Sequence, residues 1–120
     1  MRYLIGALTG ALLLAACASV SPNKAVFDAR GAYDVLLNGA AAYSTLPRCE
    51  EQNAPKICSK QAVVDQMRKA DAAAKATLDA AEDTVRNHPD MNASAAIAAA
   101  QNAVTALSVI FDVYGIKKGS

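Results

Sequence analysis

The stretch SKQAVVDQMRKADAAAKATLDAAEDTVR, residues 59–86, determines the fold class of this chain. Its apolar residues recur at spacings of three and four, which places them on one face of an α-helix. They are Val63, Val64, Met67, Ala70, Ala74, Leu78, Ala81 and Val85. Ser59 is a candidate N-cap at the start. We therefore predict a helix over residues 59–86 whose apolar face must be covered by other elements.

The other face of this helix carries charged residues. Three acidic residues each precede a basic residue by four positions: Asp65 and Lys69, Asp71 and Lys75, and Glu82 and Arg86. Such pairs stabilise a helix by a few tenths of a kcal/mol each, about 0.2–0.5 kcal/mol, without forming a site. The pattern predicts a solvated face.

A second helix is predicted before this one, over about residues 23–46. Pro22 after Ser21 suits a helix start, because the missing N–H at the first helical position has no partner to lose. Pro47 closes the helix. The apolar stripe consists of Val26, Ala29, Tyr33, Leu36, Leu37, Ala40 and Tyr43. Gly31 and Gly39 either weaken this helix or mark the close approach of a neighbour, and we expect the former.

A third helix is predicted over residues 92–114, after Pro89, with Asp90 or Asn92 as its cap and Gly115 at its end. Its apolar stripe is Ala96, Ile97, Ala100, Ala103, Val104, Leu107, Ile110, Phe111 and Tyr114. A membrane-lying helix and a partner-binding surface are the alternatives to a buried helix. Polar residues such as Asp112 would be costly in lipid, so a buried helix is expected.

These three helices predict an all-α protein. Each has one apolar face, and short connections make consecutive helices antiparallel neighbours. We expect one domain over residues 23–116, folded as an up-down-up three-helix bundle. Alanine fills 24 positions from residue 17 onward, so the helix contacts bury little area per residue. A homodimer or an envelope partner could supply the missing burial.

Residues 1–16 have the pattern of a signal peptide. Arg2 is followed by an uncharged apolar run that ends at Ala16, and this run is shorter than the roughly 20 residues of a stable membrane span. Leu14-Ala15-Ala16-Cys17 resembles the lipobox of bacterial lipoproteins. The resemblance implies cleavage between Ala16 and Cys17. It also implies a diacylglyceryl group on the Cys17 thiol and a further acyl chain, such as palmitate, on its amino group.

The lipobox resemblance also implies a location. Position 18 is Ala and not the Asp that retains many lipoproteins at the inner membrane, so the resemblance implies anchoring at the periplasmic face of the outer membrane. Residues 17–22 would then form a lipidated tether. Several acyl chains on one residue make a durable anchor, whereas one chain binds only marginally. The alternative is an ordinary cleaved signal with a spare thiol.

With Cys17 assigned to lipid, Cys49 and Cys58 remain as an even pair in an oxidising compartment. We predict that they form a disulfide that pins the ends of the polar loop over residues 49–58. A redox pair would usually be spaced as C-x-x-C, and a zinc site would need two more nearby ligands. The single histidine, His88, cannot supply them.

Composition and polar residues point to no chemistry. The chain has 12 basic and 11 acidic residues, scattered along it, so no nucleic-acid partner is expected. Lys117 and Lys118 are expected to be a solvated helix end. Glu50 and Glu51 are explained by loop solvation, and His88 lies in a turn without a nearby nucleophile. We expect no enzyme activity, catalytic residue, metal or cofactor.

The chain also resembles small lipoproteins encoded by tailed phages and prophages of Gram-negative bacteria. The residues that carry this resemblance are Ala42-Tyr43-Ser44-Thr45-Leu46-Pro47-Arg48-Cys49, Pro55, Cys58-Ser59, Val63-Val64 and Lys69-Ala70-Asp71. It supplies no catalytic residues. The sequence therefore predicts a membrane-anchored, non-enzymatic envelope lipoprotein with a structural or protein-binding role. The alternative is a phage-encoded lysis or superinfection-exclusion lipoprotein acting on the membrane or a surface receptor.

Overall fold

The computed structural model describes residues 21–119 and contains three α-helices in this range. Helix α1 spans Pro22–Ser44, α2 spans Gln61–Asn87 and α3 spans Ser94–Tyr114. Each helix packs against both others. The predicted all-α three-helix bundle is thus confirmed. The predicted signal peptide, with Ala16 and the lipidation residue Cys17, lies outside the described residues.

Two predicted helix ends are confirmed. The backbone N–H of Lys24 donates to the hydroxyl of Ser21 at 3.2 Å, so Ser21 caps α1 ahead of Pro22. Gly115 ends α3 in the left-handed conformation, with φ of 62°. A residue other than glycine would be strained in this backbone conformation.

The predicted Ser59 cap of α2 is wrong. Helix α2 starts at Gln61, and Ser59 is fully buried in the connection before it. The Ser59 hydroxyl donates to the carbonyl of Leu46 at 3.0 Å and accepts from the Arg48 guanidinium at 2.6 Å. Ser59 therefore joins the segment that follows α1 to the segment that precedes α2, instead of capping α2.

The core is formed by the apolar stripes predicted for the three helices. Its buried members are Val26, Ala29, Tyr33, Leu36, Val63, Val64, Met67, Ala74, Leu78, Ala81, Ala100, Val104, Leu107 and Phe111. Phe111 is the largest side chain that is fully buried. Two residues predicted to belong to these stripes are instead exposed: Leu37 by 40% and Tyr114 by 43%.

The largest core side chain packs where α1 has no side chain. A Cβ atom on Gly39 would lie 2.8 Å from Cε1 of Phe111, 2.9 Å from the Gly119 nitrogen and 2.9 Å from the Lys117 carbonyl oxygen. Gly39 thus marks the close approach of a neighbour, contrary to our expectation. Gly31 has open space around it.

The chain after α3 folds back across α1. The Ile116 N–H donates to the Phe111 carbonyl at 2.9 Å, and the Gly119 N–H donates to the Val35 carbonyl at 3.1 Å. A Cβ atom on Gly119 would lie 2.6 Å from Cβ of Asn38. We call residues 115–119 the C-terminal strap. Lys117 and Lys118, predicted to be a solvated helix end, are exposed but lie in the strap beyond the end of α3.

The two helical glycines should respond to alanine in opposite directions. Gly39→Ala is expected to lower the free energy of unfolding by about 1–3 kcal/mol, because the new methyl group overlaps Phe111 and the strap. Gly31→Ala is expected to raise it by roughly 0.5–1 kcal/mol through helix propensity alone. Urea unfolding followed by circular dichroism measures both. Equal stabilisation by the two substitutions would contradict the close packing at Gly39.

Candidate functional site

Charged residues join α1 to α2 on the outside of the bundle. The guanidinium of Arg30 donates to Asp79 at 3.0 Å and to Glu82 at 2.6 Å. Lys75 pairs with Asp79 at 2.7 Å. We call Arg30, Lys75, Asp79 and Glu82 the charged clasp. The hydrogen bond from Arg30 to Glu82 raises the pKa of Arg30, and the hydrogen bonds from Lys75 and Arg30 lower the pKa of Asp79.

The clasp corrects the predicted pairing along α2. Glu82 is bound by Arg30 of α1 and not by Arg86, and Lys75 is bound to Asp79 and not to Asp71. These carboxylates turn toward α1, where a cross-helix donor is available. Part of the face predicted to be solvated is therefore an interhelical contact that holds α1 and α2 together.

A tyrosine deepens this contact. Tyr33 is 5% exposed, and its hydroxyl donates to the Asp71 carboxylate at 2.6 Å. Burial, together with the hydrogen bond and negative charge of Asp71, raises the pKa of Tyr33 from 10.0 to about 12. A buried hydroxyl that donates to a carboxylate on the neighbouring helix holds α1 and α2 together. We therefore assign the Tyr33–Asp71 pair a structural role.

The opposite end of the molecule from Ser21 is organised by the disulfide. Cys49 and Cys58 are bonded, as predicted, with their Cα atoms 5.0 Å apart. Next to the bond, the Cys49 N–H donates to the Ser59 carbonyl at 2.9 Å and the Ser59 N–H donates to the Pro47 carbonyl at 2.8 Å. The loop of residues 49–58 is therefore pinned at its base by both covalent and hydrogen bonds.

The start of α2 is capped by residues that the sequence did not indicate for this role. The Glu50 carboxylate accepts from the Gln61 N–H at 3.0 Å, and the Tyr43 hydroxyl accepts from the Lys60 N–H at 2.9 Å. A carboxylate at a helix N-terminus also stabilises the helix, because its negative charge interacts favourably with the helix dipole. Only tertiary folding brings these side chains to α2, since they come from the loop and from α1.

An open groove lies at this end of the bundle, with a volume of about 380 Å³. We call it the disulfide-end groove. It is lined by three segments: the end of α1, the disulfide loop and the strap. The lining residues are Gly39, Ala42, Tyr43, Leu46, Lys56, Ile57, Cys58, Tyr114, Gly115, Ile116 and Lys117.

The rim of the groove combines exposed apolar and cationic side chains. Ile57 is 73% exposed and Tyr114 is 43% exposed, while Lys56 and Lys117 are the two charged lining residues. Single exposed apolar residues are ordinary on a protein surface, but these converge on one concavity with a pinned wall. The arrangement suits a peptide segment that offers a large apolar side chain next to a carboxylate.

The residues considered for chemistry do not meet in this groove. Glu50 is used as a cap, and His88 lies at the other end of the bundle, 3.7 Å from Asp83. Within residues 21–119, no group of three or more histidine, cysteine, aspartate or glutamate residues could hold a metal ion.

Comparison with known proteins gave no relative. No family model, curated protein or solved structure matches the chain.

Helix α3 stands apart from the other two in polarity. In the described part of the chain it is the one helix whose length and composition would allow it to cross a membrane. Only 22% of its most apolar 18-residue window is buried in the bundle. Part of its apolar surface therefore remains uncovered in the single chain.

The buried tyrosine gives a testable alkaline transition. Because folding raises the pKa of Tyr33, the contribution of the Tyr33–Asp71 pair to stability is fully present below pH 10. This contribution is lost as the pH rises toward about 12. We expect the free energy of unfolding to fall by roughly 2 kcal/mol more in the wild type than in Tyr33→Phe over this interval. Urea unfolding at pH 9 to 12 measures the difference. Parallel curves for the two proteins would contradict the buried tyrosine–carboxylate pair.

Proposed function

We propose that the chain is a non-enzymatic lipoprotein of the bacterial cell envelope, anchored by acyl chains on Cys17 at the periplasmic face of the outer membrane. In this proposal Ala16–Cys17 is the cleaved bond, and residues 17–21 link the anchor to α1. The helical bundle binds an envelope protein through the disulfide-end groove. The observation that supports the proposal best is that this groove lies at the opposite end of α1 from Pro22, where the helix begins.

The link between anchor and bundle is short. Helix α1 begins at Pro22, five residues after Cys17. Five extended residues reach at most about 18 Å, so the start of α1 stays next to the lipid headgroups. The turn between α2 and α3 lies at this same end, since Pro22 and Ala93 share the lining of one cleft.

The groove lies at the far end of α1. This helix has 23 residues and is therefore about 34 Å long. An upright bundle would hold the groove away from the membrane, where it can meet a protein in the periplasm. The pinned loop and the strap keep its walls in place, which lowers the entropy lost on binding.

The phage-type lysis or exclusion role is the second candidate. It is favoured by the apolar composition of α3 and by the small share of that helix that the bundle buries. In that role α3 would open onto lipid or a receptor. The bundle contacts of Leu107 and Phe111, which are fully buried, oppose such an opening.

Crosslinking in intact cells, followed by a high-salt wash of the membranes, tests both halves of the proposal. The wild-type chain is expected in the pellet together with a specific crosslinked protein. Ile57→Asp should stay in the pellet and lose the crosslinked protein by about tenfold or more, because it replaces an exposed apolar side chain of the rim with a charged one.

Met91→Asp is the matched control, since Met91 is 58% exposed and lies in the turn at the other end. It should keep the crosslinked protein. Equal loss in both variants, or no specific partner for the wild type, would contradict the groove. A chain released by the salt wash would contradict the anchor.

A further inference from the structure

The outward face of α3 repeats a pattern that is normally buried. Six exposed residues of α3 recur along one face at alternating spacings of four and three: Ala95, Ala99, Asn102, Ala106, Val109 and Val113. We call them the outer seam. Alternating spacings of three and four are the heptad pattern of helices that pack side by side. The buried residues of α3, such as Val104 and Phe111, lie on the opposite face.

The composition of the outer seam fits a helix as its neighbour. None of its six side chains is charged, and three are alanines, which permit close approach of two helix backbones. Val109 is 49% exposed and Val113 is 69% exposed, so apolar area is available for burial. The solvent face of α2, in contrast, carries exposed charges such as Arg68 and Lys69. These charged side chains of α2 favour exposure to water.

A second copy of the same chain offers a matching surface. An uncharged seam is best covered by another uncharged seam, because a charged surface would lose its hydration without gaining a partner. Asn102 lies near the middle of the seam. Two Asn102 side chains facing each other across a twofold axis can exchange hydrogen bonds, so neither amide is left without a partner when the seam is covered.

The anchor determines the direction of pairing. Helices α1 and α3 begin at the same end of the bundle, where Pro22 and Ser94 line one cleft. Two copies on one membrane then both have α3 starting beside the lipid. Helix α3 is about 31 Å long, so an antiparallel upright pair would lift one anchor beyond the roughly 18 Å reach of its link.

The seam is too small for a strong dimer in free solution. A face about 31 Å long and about 10 Å wide covers roughly 300 Å², well below the about 800 Å² per partner of a standard interface. Two chains tethered to one bilayer meet at a higher effective concentration. Membrane attachment can therefore raise the association of the two copies above the level that so small a contact area gives in solution.

We infer that two copies of the chain associate in parallel on the membrane through the outer seams of α3, with Asn102 of each copy facing Asn102 of the other. This inference rests on the proposed lipid anchor for its parallel direction. It assigns the uncovered face of α3 to a second copy and leaves the disulfide-end groove free for a different partner.

Single cysteines introduced into the full-length chain in isolated membranes test the inference. Under mild oxidation, Ala95→Cys and Val109→Cys should each give disulfide-linked dimers, about tenfold more than Ala72→Cys on the exposed face of α2. Coexpressed Ala95→Cys and Val109→Cys chains should form no mixed 95–109 dimer above the Ala72→Cys level. Adding Val109→Glu to Ala95→Cys should abolish its dimer, whereas adding Ala72→Glu should not.

Three results would overturn the inference. Mixed 95–109 dimers would show an antiparallel pair. Dimers at the Ala72→Cys level would show that no seam contact exists. Protection of Val109→Cys from a water-soluble maleimide without any dimer would show that lipid covers the face.

The pellet fraction of the same samples scores the anchor separately. A chain that pellets without a seam dimer overturns the seam and supports the anchor. A seam dimer in a chain that does not pellet supports the seam and overturns the anchor.

Discussion

The bundle depends on the contact between the aromatic ring of Phe111 and the bare backbone of α1 at Gly39. Phe111 is the largest side chain that is fully buried, in a core otherwise rich in alanine and valine. Its ring fits because α1 has no Cβ atom at that position. The same gap admits the strap, whose Lys117 carbonyl and Gly119 nitrogen lie beside Gly39. One glycine thus brings α1, α3 and the end of the chain together.

The three helices are held by different forces, and this difference shapes the surface. Helices α1 and α2 share the charged clasp and the Tyr33–Asp71 hydrogen bond in addition to apolar packing. Helix α3 carries a single charged residue, Asp112, which pairs with Lys118 of the strap at 3.1 Å. Helix α3 is therefore joined to the bundle mainly by burial. The outer seam on its exposed side carries no charged residue. In the proposed pairing this seam is the second contact surface.

Much of the fold follows from the sequence, because apolar spacing and helix-end residues act locally. The three helices and the caps at Ser21 and Gly115 were predictable in this way. The Cys49–Cys58 bond was predictable from the pair of cysteines left once Cys17 is assigned to lipid. Contacts between distant segments were not. The burial of Ser59, the capping of α2 by Glu50 and the binding of Glu82 by Arg30 each require knowledge of which elements are neighbours.

The candidate groove was hidden from the sequence for the same reason. Its walls come from α1, the disulfide loop and the strap, and no local pattern marks Ile57 or Tyr114 as exposed members of one concavity. Gly39 illustrates the limit most clearly. Helix propensity predicts that Gly39 weakens α1. In the packed structure, the absence of a side chain at Gly39 leaves the space that Phe111 and the strap occupy.

In the proposed arrangement the acyl chains on Cys17 hold one end of this bundle at the membrane and leave the disulfide end facing the periplasm. The intact mass of the chain extracted from envelopes without reductant tests this arrangement most directly. The expected mass is that of residues 17–120 with a diacylglyceryl group and one further acyl chain, less two hydrogens for the Cys49–Cys58 bond. A chain that retains residues 1–16 and carries no acyl mass would contradict it.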